Sequence, residues 1–258
     1  MTMKTLLKKI AVFLLPRNTI LRTTFSDGTI VCGENKPGYG GRGVFIFGEA
    51  QEHELRLLPS LLNKGDVVVD VGANIGTYTM RSAKIVGPSG MVIAVEPFPR
   101  MAAMNLSNAL RNNFNNVRLR VCCVADRDGH QDFWMKANKP NSFTLLETPG
   151  YNCFNSRVER IDTLFEAEGL SRLDFIKIDA EGVENEVLAG AKHVIDKFRP
   201  MILLEVIITE NPNIPPGYVA LRYQDSHNLL LVHQDSPRLD QIKAIGFTEL
   251  SQPIAAMI

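Results

Sequence analysis

A β-branched run closes on an acid and passes straight into a glycine turn at Asp66-Val-Val-Val-Asp70-Val-Gly72-Ala73-Asn74-Ile75-Gly76. Val67 to Val69 fit a short strand covered on both faces. Gly72 and Gly76 permit a tight turn and a close backbone approach to a bound molecule. The segment from Thr77 to Lys84 lacks Gly and Pro and predicts a helix, whose first free N–H groups would face that molecule. Open α/β sheets hold nucleotide-like cofactors at such a strand, turn and helix.

The rest of the chain continues this alternation. Strands are expected at Met91–Glu96, Val117–Ala125, Leu173–Ile178 and Met201–Val206, with helices at Met101–Arg111, Arg160–Leu170 and Glu184–Phe198. Such alternation predicts a parallel sheet with right-handed crossovers. Upstream, Asp27-Gly28 between Thr23–Phe25 and Thr29–Val31 signals a β-hairpin. A glycine-rich loop, residues 38–43, precedes an expected strand at Val44–Phe47, and a helix is expected over Glu49–Leu62. The loop lacks the Lys-Ser/Thr pair of a phosphate-binding P-loop. Gln131–Met135 reads as a short strand, and residues 137–157 as a long polar loop in which Asn141, Ser142 and Phe143 are candidates to line an acceptor pocket. Leu229–Val232 and Gly246–Leu250 suffice for a closing pair of strands around a helix at Leu239–Ala244.

At 258 residues, 45% hydrophobic and 22% charged, the chain can bury an ordinary globular core. Lys plus Arg and Asp plus Glu are 28 each, a balance that gives no general support for nucleic-acid binding. Cys32, Cys122, Cys123 and Cys153 form no C-x-x-C pair and read as reduced, buried thiols of a cytosolic protein. Lys4, Lys8 and Lys9 precede only six apolar residues, Ile10–Leu15, before Pro16-Arg17. That run is far below the roughly 20 residues of a membrane span and lacks a cleavage site. It is expected to form a helix that packs on the domain or makes a weak amphipathic contact with a membrane or partner. A cytoplasmic location is expected.

The order Gly72-Ala73-Asn74-Ile75-Gly76 departs from the G-x-G-x-x-G of dinucleotide sites, and no Tyr-x-x-x-Lys pair accompanies it. These departures count against an NAD-dependent oxidoreductase or a related nucleotide-sugar enzyme. S-adenosylmethionine (SAM) has different needs. Asp70 at the first strand end is placed for the methionine part, with the glycine backbone beside it. Glu96 at the second strand end can accept hydrogen bonds from both ribose hydroxyls. Asp126, just past the third strand, is a candidate for the adenine amino group, although Asp126-Arg-Asp-Gly129 also makes a good turn unaided.

Asp70-Val-Gly-Ala-Asn-Ile-Gly76, Glu96-Pro97, Lys177-Ile-Asp-Ala-Glu-Gly182 with Glu184, Arg199-Pro200 and Leu204-Glu205 together resemble the FkbM family of SAM-dependent methyltransferases. The resemblance covers about 48–206. It implies a class I, Rossmann-like α/β fold: a seven-stranded, mostly parallel sheet with one antiparallel strand and helices on both faces. SAM would lie at the strand carboxyl ends, held by Asp70, Gly72, Ala73, Asn74, Gly76, Glu96, Pro97 and Asp126. The transfer expected is mostly to oxygen, on hydroxyls of sugars, glycans or other small metabolites. Residues 1–47 are expected to form a helix and β-hairpin extension, and 48–258 the methyltransferase domain; a non-catalytic SAM-binding module is the alternative on the same fold.

An alcohol is a poor nucleophile until its proton leaves, so O-methylation calls for a base or a metal ion. Asp179 and Glu181 follow the fourth strand at the carboxyl edge. They are the catalytic candidates, as general base or as ligands for a divalent ion. The competing role is structural: Asp179 shaping the loop and Glu181 capping the next helix near Glu184. His53, His130 and His193 have charged or turn neighbours and read as solvated or structural.

Overall fold

The computed structural model describes residues 3–136, 143–144, 147–206, 212–224 and 226–250, with backbone alone at 143–144. The chain opens with α1 (Met3–Leu14), the hairpin strands β1 (Ile20–Thr24) and β2 (Ile30–Glu34), α2 (Gly41–Phe47) and α3 (His53–Leu61). There follow β3 (Val67–Val71), α4 (Thr77–Val86), β4 (Met91–Val95), α5 (Pro99–Arg111) and β5 (Val117–Arg120). A second group comprises β6 (Cys123–Val124), β7 (Gly129–Lys136), β8 (Phe143–Thr144) and β9 (Tyr151–Glu159). The chain then returns through α6 (Ile161–Ala167), β10 (Phe175–Ile178), α7 (Glu184–Gly190), α8 (Lys192–Phe198) and β11 (Met201–Glu205). It ends in β12 (Tyr218–Tyr223), β13 (Asn228–His233), α9 (Leu239–Ala244) and β14 (Phe247–Glu249).

The main sheet has the order β14-β12-β13-β11-β10-β3-β4-β5, parallel from β11 to β5. It is the class I sheet with one strand more than the seven expected. Because β13 runs against β11, β12 against β13 and β14 against β12, both β13 and β14 oppose the parallel set. The closing pair also differs from expectation, since β12 lies between β13 and β14. Tyr-Val-Ala-Leu-Arg-Tyr alternates only weakly, which hides β12 in the sequence.

Both faces of the sheet are covered, as its hydrophobic runs require. Val67, Val69, Ile176, Ile178, Ile202 and Leu204 pack with α6, α7 and α8 on one side. Val68, Phe175, Leu203 and Leu230 pack with Leu55, Leu58 and Leu61 of α3 and Ala83 and Val86 of α4 on the other. The expected helix at 184–198 is broken at Ala191. A Cβ on Gly190 would lie 2.0 Å from the Ala125 carbonyl oxygen, and Asp162 accepts the backbone N–H groups of His193 (3.1 Å) and Val194 (2.9 Å), capping α8.

Four further expectations are corrected. Val44–Phe47 belongs to helix α2, not to a strand. An apolar run of four cannot distinguish the two, and here Val44 joins Phe25, Val31, Ile75 and Met80 in a small core. The expected strand Val117–Ala125 divides: β5 stays in the main sheet, whereas Cys123–Val124 pairs with β9 in a separate sheet of order β6-β9-β7-β8. Residues 151–157 of the expected loop form most of β9, paired with β7 from Gly129↔Val158 to Lys136↔Tyr151. This ribbon shows solvent on much of both faces, so it lacks the apolar alternation that betrays a strand. Asn141 and Ser142 lie outside the described residues. Phe143 opens β8 opposite Met135. Cys153 is exposed rather than buried, because it lies on this ribbon.

The hairpin is bound to the sheet domain by side-chain amides. Asn108 of α5 donates to the carbonyls of Cys32 (2.9 Å) and Ile75 (2.8 Å) and accepts from the Cys32 N–H (2.9 Å). One turn on, Asn112 accepts from the Ile30 N–H (2.8 Å) and donates to its carbonyl (2.7 Å). The two amides thus satisfy the backbone edge of β2 as a neighbouring strand would. Buried Arg81 of α4 adds ion pairs to Asp27 in the hairpin turn (2.5 Å) and to Glu49 (3.0 Å). Asn108→Ala strands a buried donor and two acceptors. At about 1–3 kcal/mol per unpaired group, the three together should cost at least about 3 kcal/mol in urea unfolding. Amide exchange at Cys32 should accelerate by more than at Val68 in the main sheet.

Candidate functional site

The turn after β3 takes its shape from steric exclusion. Gly72 has φ 72°, and a Cβ there would sit 1.9 Å from the carbonyl oxygen of Asp179. Gly76 has φ 93°, and its Cβ would meet the Asn105 side chain at 2.9 Å. Between them the N–H groups of Gly72 and Ala73 both donate to the Val95 carbonyl, at 3.0 and 2.9 Å. Asn74, at φ 48°, donates its N–H to Oε2 of Glu96 (2.8 Å). The turn is therefore sewn to the end of β4 before any ligand arrives.

This turn, the ends of β4 and β10, and the β6–β7–β9 sheet enclose a cavity of roughly 1000 Å³, its open mouth included. Gly72, Asn74, Glu96, Pro97, Asp179 and Glu181 all line it, so six of the sequence-derived candidates meet at one site. Asp70, Ala73, Gly76 and Asp126 do not line it. Asp70 is 1% exposed behind the turn, where its Oδ2 accepts from Thr79 Oγ1 at 2.6 Å and its Oδ1 has no hydrogen-bond partner among the described residues. Ala73 and Gly76 shape the turn through their backbone. Asp126 lies near the rim with its side chain half exposed, 3.4 Å from Arg127. His53, His130 and His193 also lie off the wall.

Glu96 is 5% exposed, and its Oε1 accepts the Phe98 N–H (2.9 Å). Each carboxylate oxygen thus holds one backbone N–H and keeps acceptor capacity for a further donor. Burial lifts its pKa to about 7 against the pull of those two N–H groups, with Asp70 and Asp179 adding to the rise. The opposite wall is apolar or weakly polar: Phe98, Met101, Cys123, Val124 and Phe133. Burial holds the Cys122 and Cys123 thiols up at about 12, so neither is a thiolate nucleophile near neutral pH.

Behind Asp179 lies a charge cluster that strand register assembles. Lys177 of β10 is opposite Asp70 of β3, and continuing the β10–β11 register by one residue brings Asp179 to Glu205. The Lys177 ammonium donates to Asp179 Oδ2 at 2.9 Å and stands 5.0 Å from the Tyr78 ring centre. Tyr78 donates its hydroxyl to Glu52 Oε2 at 2.6 Å. Burial works against the Lys177 charge, but Asp179, Asp70 and Glu52 outweigh it and raise its pKa. Burial likewise works against ionised Asp179, yet Lys177 and a hydrogen bond from Glu205 hold that carboxyl below its ordinary range. Glu205 is pushed up, by burial first and then by Asp179, so it carries the shared proton. Lys177 and Glu205 stood out in the sequence only as parts of motifs; Glu52 and Tyr78 gave no signal at all.

Glu181 has the opposite setting. It sits at φ 52° in the loop after β10, and makes no hydrogen bond or ion pair with the described residues. Glu184, not Glu181, shapes that loop, accepting the N–H groups of Ala180 (3.1 Å) and Gly182 (3.0 Å) on Oε1. Burial, then Asp179 and Glu184, raises the Glu181 carboxyl to about 7. Among the described residues no three His, Cys, Asp or Glu side chains gather to hold a metal ion, and Asp179 is already engaged by Lys177.

The profile of the Methyltransferase FkbM domain matches residues 70–216, more than half of the chain. A "2-O-methyltransferase NoeI" of Sinorhizobium fredii is 28% identical over 163 residues, covering 56% of this chain and 65% of that protein. A "31-O-demethyl-FK506 methyltransferase FkbM" of Streptomyces tacrolimicus is 30% identical over 161 residues, covering 51% of this chain and 61% of that protein. The matched region thus spans less than two thirds of either relative. A crystal structure of a methyltransferase FkbM from Methylobacillus flagellatus KT aligns with a TM-score of 0.48 at 19% identity, over 74% of this chain and 53% of that one. On the profile match across the turn, the cavity and the acids after β10, the chain belongs to the FkbM methyltransferase family.

Proposed function

We propose that the protein is a SAM-dependent O-methyltransferase acting on a hydroxyl of a sugar, glycan or other small metabolite. The observation that carries this reading is the pairing, on one cavity wall, of Glu96 with acceptor capacity to spare and Glu181 with no protein partner. The names of two relatives specify transfer to oxygen, which supports the same choice.

SAM, when bound, supplies a methyl group already activated on a sulfonium. The chain's part is then to bind, orient and move one proton. Glu96 suits the two ribose hydroxyls, and the Gly72–Asn74 backbone beside it suits the methionine end. The apolar wall of Phe98, Met101, Val124 and Phe133 suits a flat adenine ring. Asp179, held ionised by Lys177, contributes fixed negative charge near the sulfonium; its lowered pKa makes it a weak base. Glu181, near pH 7 and unpartnered, is the better general base for the acceptor hydroxyl. Alignment of donor and acceptor supplies much of the remaining rate enhancement, up to about 7–11 kcal/mol in favourable cases.

Three measurements test this assignment. With labelled SAM and a panel of glycan and small-molecule alcohols, Glu181→Gln should lower kcat about 10²- to 10⁴-fold while SAM affinity stays within a factor of two or so. The wild-type rate should rise with pH through about 7 as Glu181 ionises, and the variant should lose that limb. Retention of NAD(H) by the wild type with no SAM binding would overturn the proposal.

Calorimetry addresses Glu96. Ribose hydroxyls favour its ionised form, so SAM should bind more weakly as pH falls below about 7, by up to about tenfold per pH unit, with proton release. Glu96→Gln should abolish that proton release and weaken binding.

Lys177→Met removes the cation that lowers the pKa values of Asp70, Asp179 and Glu52. A loss of about 3–5 kcal/mol is expected at pH 7. Without the ammonium, the Asp70 pKa, already above its ordinary value through burial, rises further, and Asp179 is no longer held below its own against burial. The folded variant then binds extra protons, so its deficit should shrink as pH falls towards 5 and grow as pH rises.

A further inference from the structure

Helix α1 is mounted back to front for a surface helix. An amphipathic helix on a globular domain normally turns its apolar side inward. In α1 the one buried residue is Val12, while Met3, Leu6, Leu7, Ile10, Phe13 and Leu14 are all exposed, Phe13 by 82% and Leu14 by 80%. At roughly 100° per residue these six occupy an arc of about 120°, centred opposite Val12. The inward side is fixed to α2: the Lys8 ammonium donates to the Phe45 carbonyl at 2.6 Å. Phe47, 45% exposed, continues the apolar surface beyond Lys9, whose ammonium lies 5.5 Å from its ring centre.

Charge selects the occupant. Lys4 and Lys9 border the arc on its two sides, Arg17 and Arg22 follow, and the sequence holds no acidic residue before Asp27. A protein-binding core is depleted in lysine. A second copy of this helix would bring like charges together across the contact. An apolar ridge edged by lysines suits lipid, with acyl chains meeting the ridge and anionic headgroups meeting the ammonium groups. Twelve residues of helix are about 18 Å long, too short to cross a bilayer. Among the described residues no helix is long and apolar enough to do so.

We infer that α1 is an interfacial anchor that lies in the plane of a membrane and docks the protein on an anionic lipid surface. This inference does not depend on the reaction the cavity performs. The test is co-sedimentation of the full chain with vesicles of phosphatidylcholine alone and of phosphatidylcholine mixed with phosphatidylserine. Wild-type protein should pellet with the mixed vesicles and be released by raising the salt. Phe13→Ser with Leu14→Ser should weaken that binding by about tenfold or more. Lys4→Gln with Lys9→Gln should remove the preference for phosphatidylserine. Both pairs are on the surface of α1, so an unchanged thermal transition would certify their folding. Wild-type protein left in the supernatant with both vesicle types, or variants that pellet as well as the wild type, would overturn the inference. So would a wild-type dimer that the Phe13/Leu14 variant converts to monomer, which would assign the ridge to self-association.

Discussion

A charged amine cannot lie at the centre of a sheet unless its surroundings compensate for the lost water, and the candidate site is arranged around one that does. Lys177 faces Asp70 across a strand pair and Asp179 just past the end of its own strand. Its charge keeps Asp179 ionised; burial lifts Glu205 and Glu181, and the Asp179 anion adds to both, favouring the proton on Glu205 and raising Glu181. Two neighbouring carboxyls on one loop therefore acquire different characters: one a fixed anion, the other a titrating group. Neither outcome follows from the loop alone.

The second constraint is the backbone edge of β2. A two-stranded hairpin is weak by itself and leaves an open row of donors and acceptors. Asn108 and Asn112 close that row from helix α5, and Asn108 also grips the carbonyl of Ile75 in the turn after β3. The same helix begins beside the cavity at Phe98 and Met101. Hairpin, turn and cavity wall thus share one element.

How much of this could be read from residues depended on the range of the interactions. The β3 strand, its turn and α4 were legible because β-branched residues, glycines and a break-free helix are local signals. Glu96 and Asp179 were legible as acids at strand ends. Asn108 and Asn112 repeat at helical spacing, yet isolated asparagines on a helix look solvated until a strand edge lies beside them. Glu52 is 125 positions from Lys177 by their numbers, and only the sheet brings them together. Val44–Phe47 shows the limit from the other side: four apolar residues carry no period, so packing against Val31 and Ile75 decided for helix. The β7–β9 ribbon buries only scattered positions such as Phe133 and Val158, too few to imprint an alternation on its sequence.

The contact between Gly72 and the Asp179 carbonyl has a bearing on how the cavity can exchange its contents. With the oxygen of one turn occupying the space of a missing Cβ in the other, the two turns cannot slide past each other. The turn at Gly72 and the loop that carries Asp179 and Glu181 are one rigid jaw of the cavity. Any change in the cavity's width then falls to the facing jaw, the β6–β7–β9 sheet, where Gln131 and buried Phe133 stand on a ribbon with solvent on much of both faces and Arg127 lies just before it. Substitutions on the ribbon can accordingly reshape that wall without disturbing the packed turns opposite.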